Sequence, residues 1–572
     1  MTVNCKKIFD NYLKTSKKET HRVSTSELSV LHNIVRRSQR DPEYANELKK
    51  FDTGMGDDIV SLIEKYFAAY NTRYGLDIRD SLLEYDDPEF TEGAYFKLIT
   101  YKIESDGKMR EHIPTEFEAG DRVHAKATLY SHATDQPMIA KRLYGSFRTE
   151  DGESGDLYAY DTDTIEFDFT LSREGSVMFT VDAQDADGKL MVGAESACGG
   201  AVFSKDKIKP THTPPADIDD FWRGELKRMM SVDPRGESAD GYDGRVLSTF
   251  DMPKKNHFGM RKFDESYIDM FAENGYTPPS KETLNTHDSY EVYLKAPGPC
   301  HSSGFLSIPK NCPEGGMPLT ISFDGYSAYA PMPVYAESEI RVHSTHHGYE
   351  MGMPSVGYYK VLSGKGGILE CYGRSNGAPN SDYEDIHDCY MTYLHLRNMQ
   401  MIRFFTDPTL SGDIPLLHKY WNGKVKLTGG SMGGYQTVFA SALCALLKEL
   451  GLKFEIIYSG ANVPAFCNLA GRIDGRFGKL ISGYAENSDY FDAALVAHLV
   501  DSPLEVQRVG LGDPSCPTTS ILSMFNSLPS HIMKKVKLLQ NSSHGYKPDP
   551  DLQEWFCYKY NMGDIDYDEM VF

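Results

Sequence analysis

Apolar residues recur at helical spacing in two stretches near the N-terminus. In TSELSVLHNIVRRSQR they follow a Ser24 cap with Glu27 three positions on, the spacing of a capping box. GDDIVSLIEKYFAAYNTRY repeats the pattern with acidic residues in its first turn, where the helix dipole favours them. Proline, glycine and clustered acids in LEYDDPEFTEG then end it, so residues 1–88 read as a helical N-terminal segment. From about residue 92 the period shortens to two. Val123, Ala125, Ala127 and Leu129 alternate with polar neighbours, as do Ile165, Phe167, Phe169 and Leu171, then Val177, Phe179 and Val181. Turn signals (SDG, EAGD, EDGESGD, REG, DADG) separate these runs at the spacing of an antiparallel sandwich. An immunoglobulin-like β-sandwich over 92–207 is predicted.

Past the proline-rich joint KIKPTHTPPADIDD, a helical pattern appears in FWRGELKRMM, and from about residue 285 short β-rich runs alternate with helices and long loops. YEVYLKA, GFLSI, LTISFDG, IRVHST, KVKLTGG, FEIIYSG, LEVQRVGLGD and VKLLQ read as strands. The pattern predicts an α/β domain over 208–572, with a mainly parallel sheet covered on both faces.

Composition narrows the partners. The 572 residues include 60 basic and 82 acidic side chains, a net charge of −22, which repels phosphate backbones, and no local basic patch offsets it. Nucleic acid is therefore not an expected partner. No apolar run reaches the roughly 18 residues a membrane span needs, and the N-terminus lacks the apolar core of a signal peptide. The ten cysteines are scattered without a C-x-x-C pair, as expected of reduced, mostly buried thiols in a cytoplasmic protein. Asp185-Ala186-Asp187-Gly188 imitates part of a calcium loop, but the first and twelfth positions of that loop are Ala183 and Ala194. A hairpin turn is expected instead.

The reactive chemistry gathers in the last 250 or so residues. Gly429-Gly430-Ser431-Met432-Gly433 fits G-x-S-x-G. The β-run KVKL precedes it. Val438, Phe439, Ala442, Leu443, Leu446, Leu447 and Leu450 form a helical stripe after it, ended by Gly451. Strand, tight turn and helix together are the context that lifts a serine hydroxyl above a sheet edge and places the Met432 N–H at a helix N-terminus. A serine nucleophile needs a histidine base, and the base needs a carboxylate to orient it. In α/β-hydrolases these follow in the order Ser, acid, His. Asp513 lies just past a β-run, and His544 lies in a small polar loop after the next one. Asp492 and Asp501 are rival acids, while His498 and His531 are poorly placed as bases.

From PADIDDFWRGEL onward the chain resembles the acetyl xylan esterase / cephalosporin C deacetylase family of carbohydrate esterases. The resemblance is carried by GGSMGG (Gly429–Gly434), by GLGDPSCPTT (Gly510–Thr519) with Asn526, and by the His544 loop. It implies an α/β-hydrolase fold with Ser431 as nucleophile, His544 as base and Asp513 as its acid. It further implies an oxyanion hole made by the backbone N–H groups of Met432 and Tyr326. The implied reaction is deacetylation of O-acetylated saccharides through an acetyl-enzyme, without cofactor or metal, in a homo-oligomer. Three departures stand out: Asp324-Gly325-Tyr326 replaces the family's HGY turn, His346-His347-Gly348-Tyr349 stands where RGQ is expected, and His544 is followed by Gly545 instead of glutamate. His343, His346 and His347 lack the spaced acid of a zinc motif, so hydrogen-bonding roles are expected of them. A prolyl oligopeptidase-type serine peptidase and a non-catalytic carbohydrate-binding protein are the alternatives. The first usually carries a propeller of repeats, and none is visible here.

Overall fold

A computed structural model describes residues 94–131, 136–191, 196–236, 279–298, 301–325, 333–345, 385–477 and 486–544, with short pieces elsewhere. The two N-terminal helical stretches lie almost wholly outside the described residues. Described there are, among others, a helix over Pro42–Lys49 and helical residues at Val60 and Ser61 whose amides donate to the Asp58 carboxylate.

The chain divides into two compact units. The first takes residues up to Ser204 together with the described stretch Gln540 to His544, and the second takes Lys205–Leu539. Among the described residues of the first unit, eight strands form two antiparallel sheets. They are β1 (Ala94–Ile103), β2 (Met109–Glu111), β3 (Arg122–Ser131), β4 (Ala140–Thr149), β5 (Ser154–Thr162), β6 (Thr164–Thr170), β7 (Gly175–Gln184) and β8 (Ala197–Phe203). One sheet runs β2-β1-β3-β6 and the other β5-β4-β7-β8. The alternating apolar residues of β3, β6 and β7 enter one shared core. Small stands opposite large across β3 and β6, with Ala125 paired to Phe167 and Ala127 to Ile165. Gly145 on β4 leaves the space the Phe167 ring occupies, since a Cβ there would lie 2.3 Å from it. Burying a ring of this size contributes roughly 2–3 kcal/mol. The calcium-like sequence is a turn: Asp185 Oδ1 accepts from the amides of Asp187 and Lys189, and Gly188 takes a φ of 84°.

In the second unit, β9 (Gly259–Lys262), β10 (His287–Leu294), β11 (Ser302–Pro309), β12 (Met317–Phe323), β13 (Ile340–Thr345), β14 (Trp421–Gly430), β15 (Glu455–Asn462), β16 (Leu504–Gly510) and β17 (Lys534–Leu539) form one sheet. Its order is β17-β16-β15-β14-β12-β13-β11-β10-β9. Neighbouring strands pair parallel from β13 through β12, β14, β15 and β16 to β17, while the β13–β11, β11–β10 and β10–β9 pairs are antiparallel. The antiparallel end departs from the mainly parallel expectation at β10–β11, where the Lys295–His301 connection is too short for a crossover of about a dozen residues. The parallel strands read as continuous apolar runs because helices cover them. The helix Tyr390–Thr406 is buried on almost every side, and Met432–Glu449 nearly so. Among the described residues no helix is long and apolar enough to cross a membrane.

This order has a reversal in it. From β12 the chain moves to β13 on one side and later to β14 on the other, so the carboxyl ends of β12 and β14 are neighbours, with Phe323 opposite Gly429. Such a switch point opens a crevice where ligands of α/β sheets bind.

Candidate active site

Ser431 follows the last residue of β14 and caps the helix Met432–Glu449. Its backbone stands at φ 57°, ψ −115°, a region L-residues rarely adopt. Strain of about 1–3 kcal/mol is tolerated only where the surroundings enforce it. They do so on both sides of the residue. The Ser431 N–H donates to the Asn462 carbonyl at the end of β15 (2.9 Å), and its carbonyl accepts from the amides of Tyr435 and Ala465 (3.0 Å each). The glycines are sterically required. A Cβ on Gly429 would lie 2.4 Å from the Gly433 carbonyl oxygen, and one on Gly434 would lie 2.5 Å from the Asn462 carbonyl oxygen. The elbow predicted from the motif is thus a real strained turn at the switch point, and Met432 begins the helix, where unpaired N–H groups favour an anion.

The turn after β12 lies beside the elbow, with the Gly430 carbonyl 3.5 Å from where a Gly325 Cβ would be. Asp324 is fixed twice. Its side chain bonds His343 Nε2 on β13 at 2.5 Å, and its carbonyl accepts from Gln436 Nε2 at 3.0 Å. Gln436 is fully buried in the elbow helix and accepts from Asn398 Nδ2 (2.8 Å), while Asn398 Oδ1 accepts from the Ser344 hydroxyl (3.1 Å). An uninterrupted polar chain therefore runs from β13 to the turn. Neither Asn398 nor Gln436 was among the residues expected at the site. The available signal was a glutamine inside an otherwise apolar helical stripe. His343 has a carboxylate partner, which agrees with a hydrogen-bonding role, while Tyr326, His346 and His347 lie outside the described residues.

Asp513 lies three residues beyond β16 and is completely buried. Its Oδ1 accepts from the amides of Ser515 (2.7 Å) and Cys516 (3.1 Å), which fix the plane of the carboxylate. The rivals are engaged elsewhere. Asp492 is buried, caps the short helix Ala493–Val496 and accepts from the amides of Asn468, Leu469 and Ala494. Burial outweighs those three amides and pushes its carboxyl up to about 7. Asp501 holds Lys448 at 3.1 Å, and His498 holds Asp219 at 2.9 Å. His544 is half-buried in the loop after β17 and groups with the sandwich unit, whereas Ser431 and Asp513 belong to the other. Cys444 and Cys467 sit in the core, where burial pushes both thiols up, Cys444 to about 12, which disfavours the thiolate.

No family model matches the chain. Among curated proteins it is similar to the acetyl esterase Axe7A of Xylanibacter ruminicola, 22% identical over 344 residues. The match takes in 57% of this chain and 62% of that protein, so somewhat less than two thirds of the relative's length is represented. Among solved structures it is similar to acetyl xylan esterase 1 from Thermoanaerobacterium sp. JW/SL YS485 (16% identical, 62% of this chain and 97% of that one, TM-score 0.41). A second is the acetyl xylan esterase from Paenibacillus sp. R4 (15% identical, 63% and 98%, TM-score 0.41). A third, the acylaminoacyl peptidase of Pyrococcus horikoshii, is 10% identical over 83% of this chain and 82% of that one, with a TM-score of 0.31. The curated protein to which the chain is similar is an acetyl esterase, in keeping with the resemblance carried by the elbow and the acid segment.

Proposed function

We propose that this chain is a serine esterase that removes acetyl groups from O-acetylated saccharides through an acetyl-enzyme. The observation that carries the reading is the Ser431 backbone, held at positive φ between β14 and its helix at the switch point of the sheet. In this reading Ser431 Oγ attacks the ester carbonyl while His544 takes its proton, and Asp513 orients the imidazole. The oxyanion forms against the N–H groups of Met432 and Tyr326. His544 returns the proton to the departing sugar oxygen as the carbonyl re-forms. Water, deprotonated by the same imidazole, then releases acetate and restores the serine. The order Ser, Asp, His along the chain and the acetyl esterase relative support this assignment. We also read the sandwich as immunoglobulin-like, supported by its two four-stranded antiparallel sheets around one core.

One preparation tested on an acetyl ester, a longer acyl ester and a prolyl amide decides between bonds. The expected result is turnover of acetyl ester far above the other two, abolished by Ser431→Ala. Preferential amide cleavage would favour the peptidase alternative, and acetyl ester turnover that survives Ser431→Ala would overturn the nucleophile.

A further inference from the structure

Gln540 is the residue immediately after β17 and stands four positions before His544. Its side chain is 6% exposed. Gly200 on β8 donates its N–H to Gln540 Oε1 at 2.9 Å, and the Gly200 carbonyl accepts from Gln540 Nε2 at 2.8 Å. Among the described residues β8 is the outer strand of its sheet, so at Gly200 the glutamine amide does what a neighbouring strand would do, completing both backbone groups. The next residue is pinned as well: Asn541, at φ 54°, donates from Nδ2 to the Phe96 carbonyl on β1 at 3.4 Å. One pin lies in each sheet of the sandwich. The fit is tight, because a Cβ on Gly199 would come 2.4 Å from Gln540 Oε1 and 2.8 Å from Leu98 Cδ1. Gln540, Asn541 and Ser542 are all buried, and His544, half-buried, is two residues further on.

We propose that Gln540 is a positioning residue through which the β-sandwich sets the loop that carries His544, making the sandwich a working part of the esterase and not an appended module. This inference rests on the assignment of His544 as the base. The physical reason is the precision a base requires. A displacement of about 1 Å costs roughly a hundredfold in rate, and catalytic geometry holds only where a surrounding shell locks it, within about 0.5 Å. β17 fixes the loop only where it begins. The amide of Gln540 and the carboxamide of Asn541 tie its first two residues to β8 and β1, the unit with which His544 itself groups.

The test uses the full-length chain and perturbs the contact from both sides. Gln540→Leu keeps the bulk and removes the amide. Gln540→Asn keeps the amide but withdraws it by one methylene, and Gly199→Ala pushes against it from β8. Each variant is scored on its active fraction, counted by stoichiometric phosphonate labelling of Ser431. We expect kcat on a small acetyl ester to fall about 10- to 100-fold with KM changed less than about threefold. The acid limb of the kcat/KM profile, which reports protonation of the base, should shift in the same variants. A purely structural contact would lower the melting temperature and leave kcat and the acid limb of the folded fraction unchanged, and that outcome overturns the inference. His544→Ala is the control that separates the two readings. If it retains activity, the base assignment fails and the inference falls with it. If it is inactive while Gln540→Leu and Gly199→Ala match wild type in kcat and pH profile, only the role of Gln540 is refuted.

Discussion

Gly433 packs directly against the carbonyl of Phe323: a Cβ on the glycine would lie 2.2 Å from that oxygen and 3.1 Å from the Asp324 carbonyl oxygen. The elbow helix and the end of β12 therefore touch backbone to backbone, and only glycine permits it. Gly433→Ala must part the two. We expect a loss of about 1–3 kcal/mol in stability, typical of forced overpacking. Activity should fall at least about a hundredfold, because the same shift moves Ser431 against its neighbours. Denaturant unfolding alongside acetyl ester kinetics checks both. A variant with wild-type kinetics would show that the close approach does not matter to the site.

The strain at Ser431 separates catalysis from stability. Ser431→Ala and Ser431→Gly should both lower kcat by several orders of magnitude, because the nucleophile is gone. They should differ in stability. Alanine keeps a Cβ at φ 57°, whereas glycine adopts that region freely. Ser431→Gly should therefore be the more stable of the two by about 1 kcal/mol. Equal unfolding midpoints would mean that the turn stores no strain.

The two buried aspartates are expected to part company. Asp513→Asn should cost orders of magnitude in kcat with little change in fold. Asp492→Asn should leave most activity intact and act on stability. With its carboxyl pushed from 3.8 up to about 7, folded Asp492 holds a proton that the unfolded chain releases. Its contribution to stability thus declines as pH rises from about 4 to about 7 and is level above that. Asp492→Asn should remove this slope. Thermal melts of both proteins across that range, with activity measured in parallel, test the division. Loss of activity in Asp492→Asn but not in Asp513→Asn would reverse the choice of acid.

Much of this was legible along the chain because the relevant forces are periodic or local. The alternation in β3, β6 and β7 exposed the core of the sandwich, and G-x-S-x-G announced a turn whose glycines are sterically compelled. What escaped depends on residues meeting at long range. Gln436 and Asn398 carry no motif, and their bond joins helices 38 positions apart. Gln540 and Gly200 are 340 positions apart, and a lone glutamine after a strand has no period to reveal it. The antiparallel end of the sheet is intermediate. A connection as short as Lys295–His301 already forbade a crossover, but the β-rich texture on both sides concealed the direction of the strands.

Gln436 supplies the last prediction. Its amide nitrogen holds the Asp324 carbonyl at 3.0 Å and the Met432 carbonyl at 3.2 Å, so one side chain ties the turn after β12 to the first turn of the elbow helix. If the proposed oxyanion hole draws one N–H from each of these segments, their spacing decides how well the transition state is held, while ground-state binding of the ester depends on it far less. Gln436→Leu has nearly the same volume but leaves the Asp324 carbonyl and the Asn398 amide unsatisfied, at a cost of about 1–3 kcal/mol in stability. We expect kcat to fall about tenfold or more with KM nearly unchanged. Gln436→Glu retains the acceptor for Asn398 but sets a carboxylate against the Asp324 carbonyl, so it should be no better than leucine. If KM rises and kcat holds in either variant, the bond serves substrate binding and not the oxyanion.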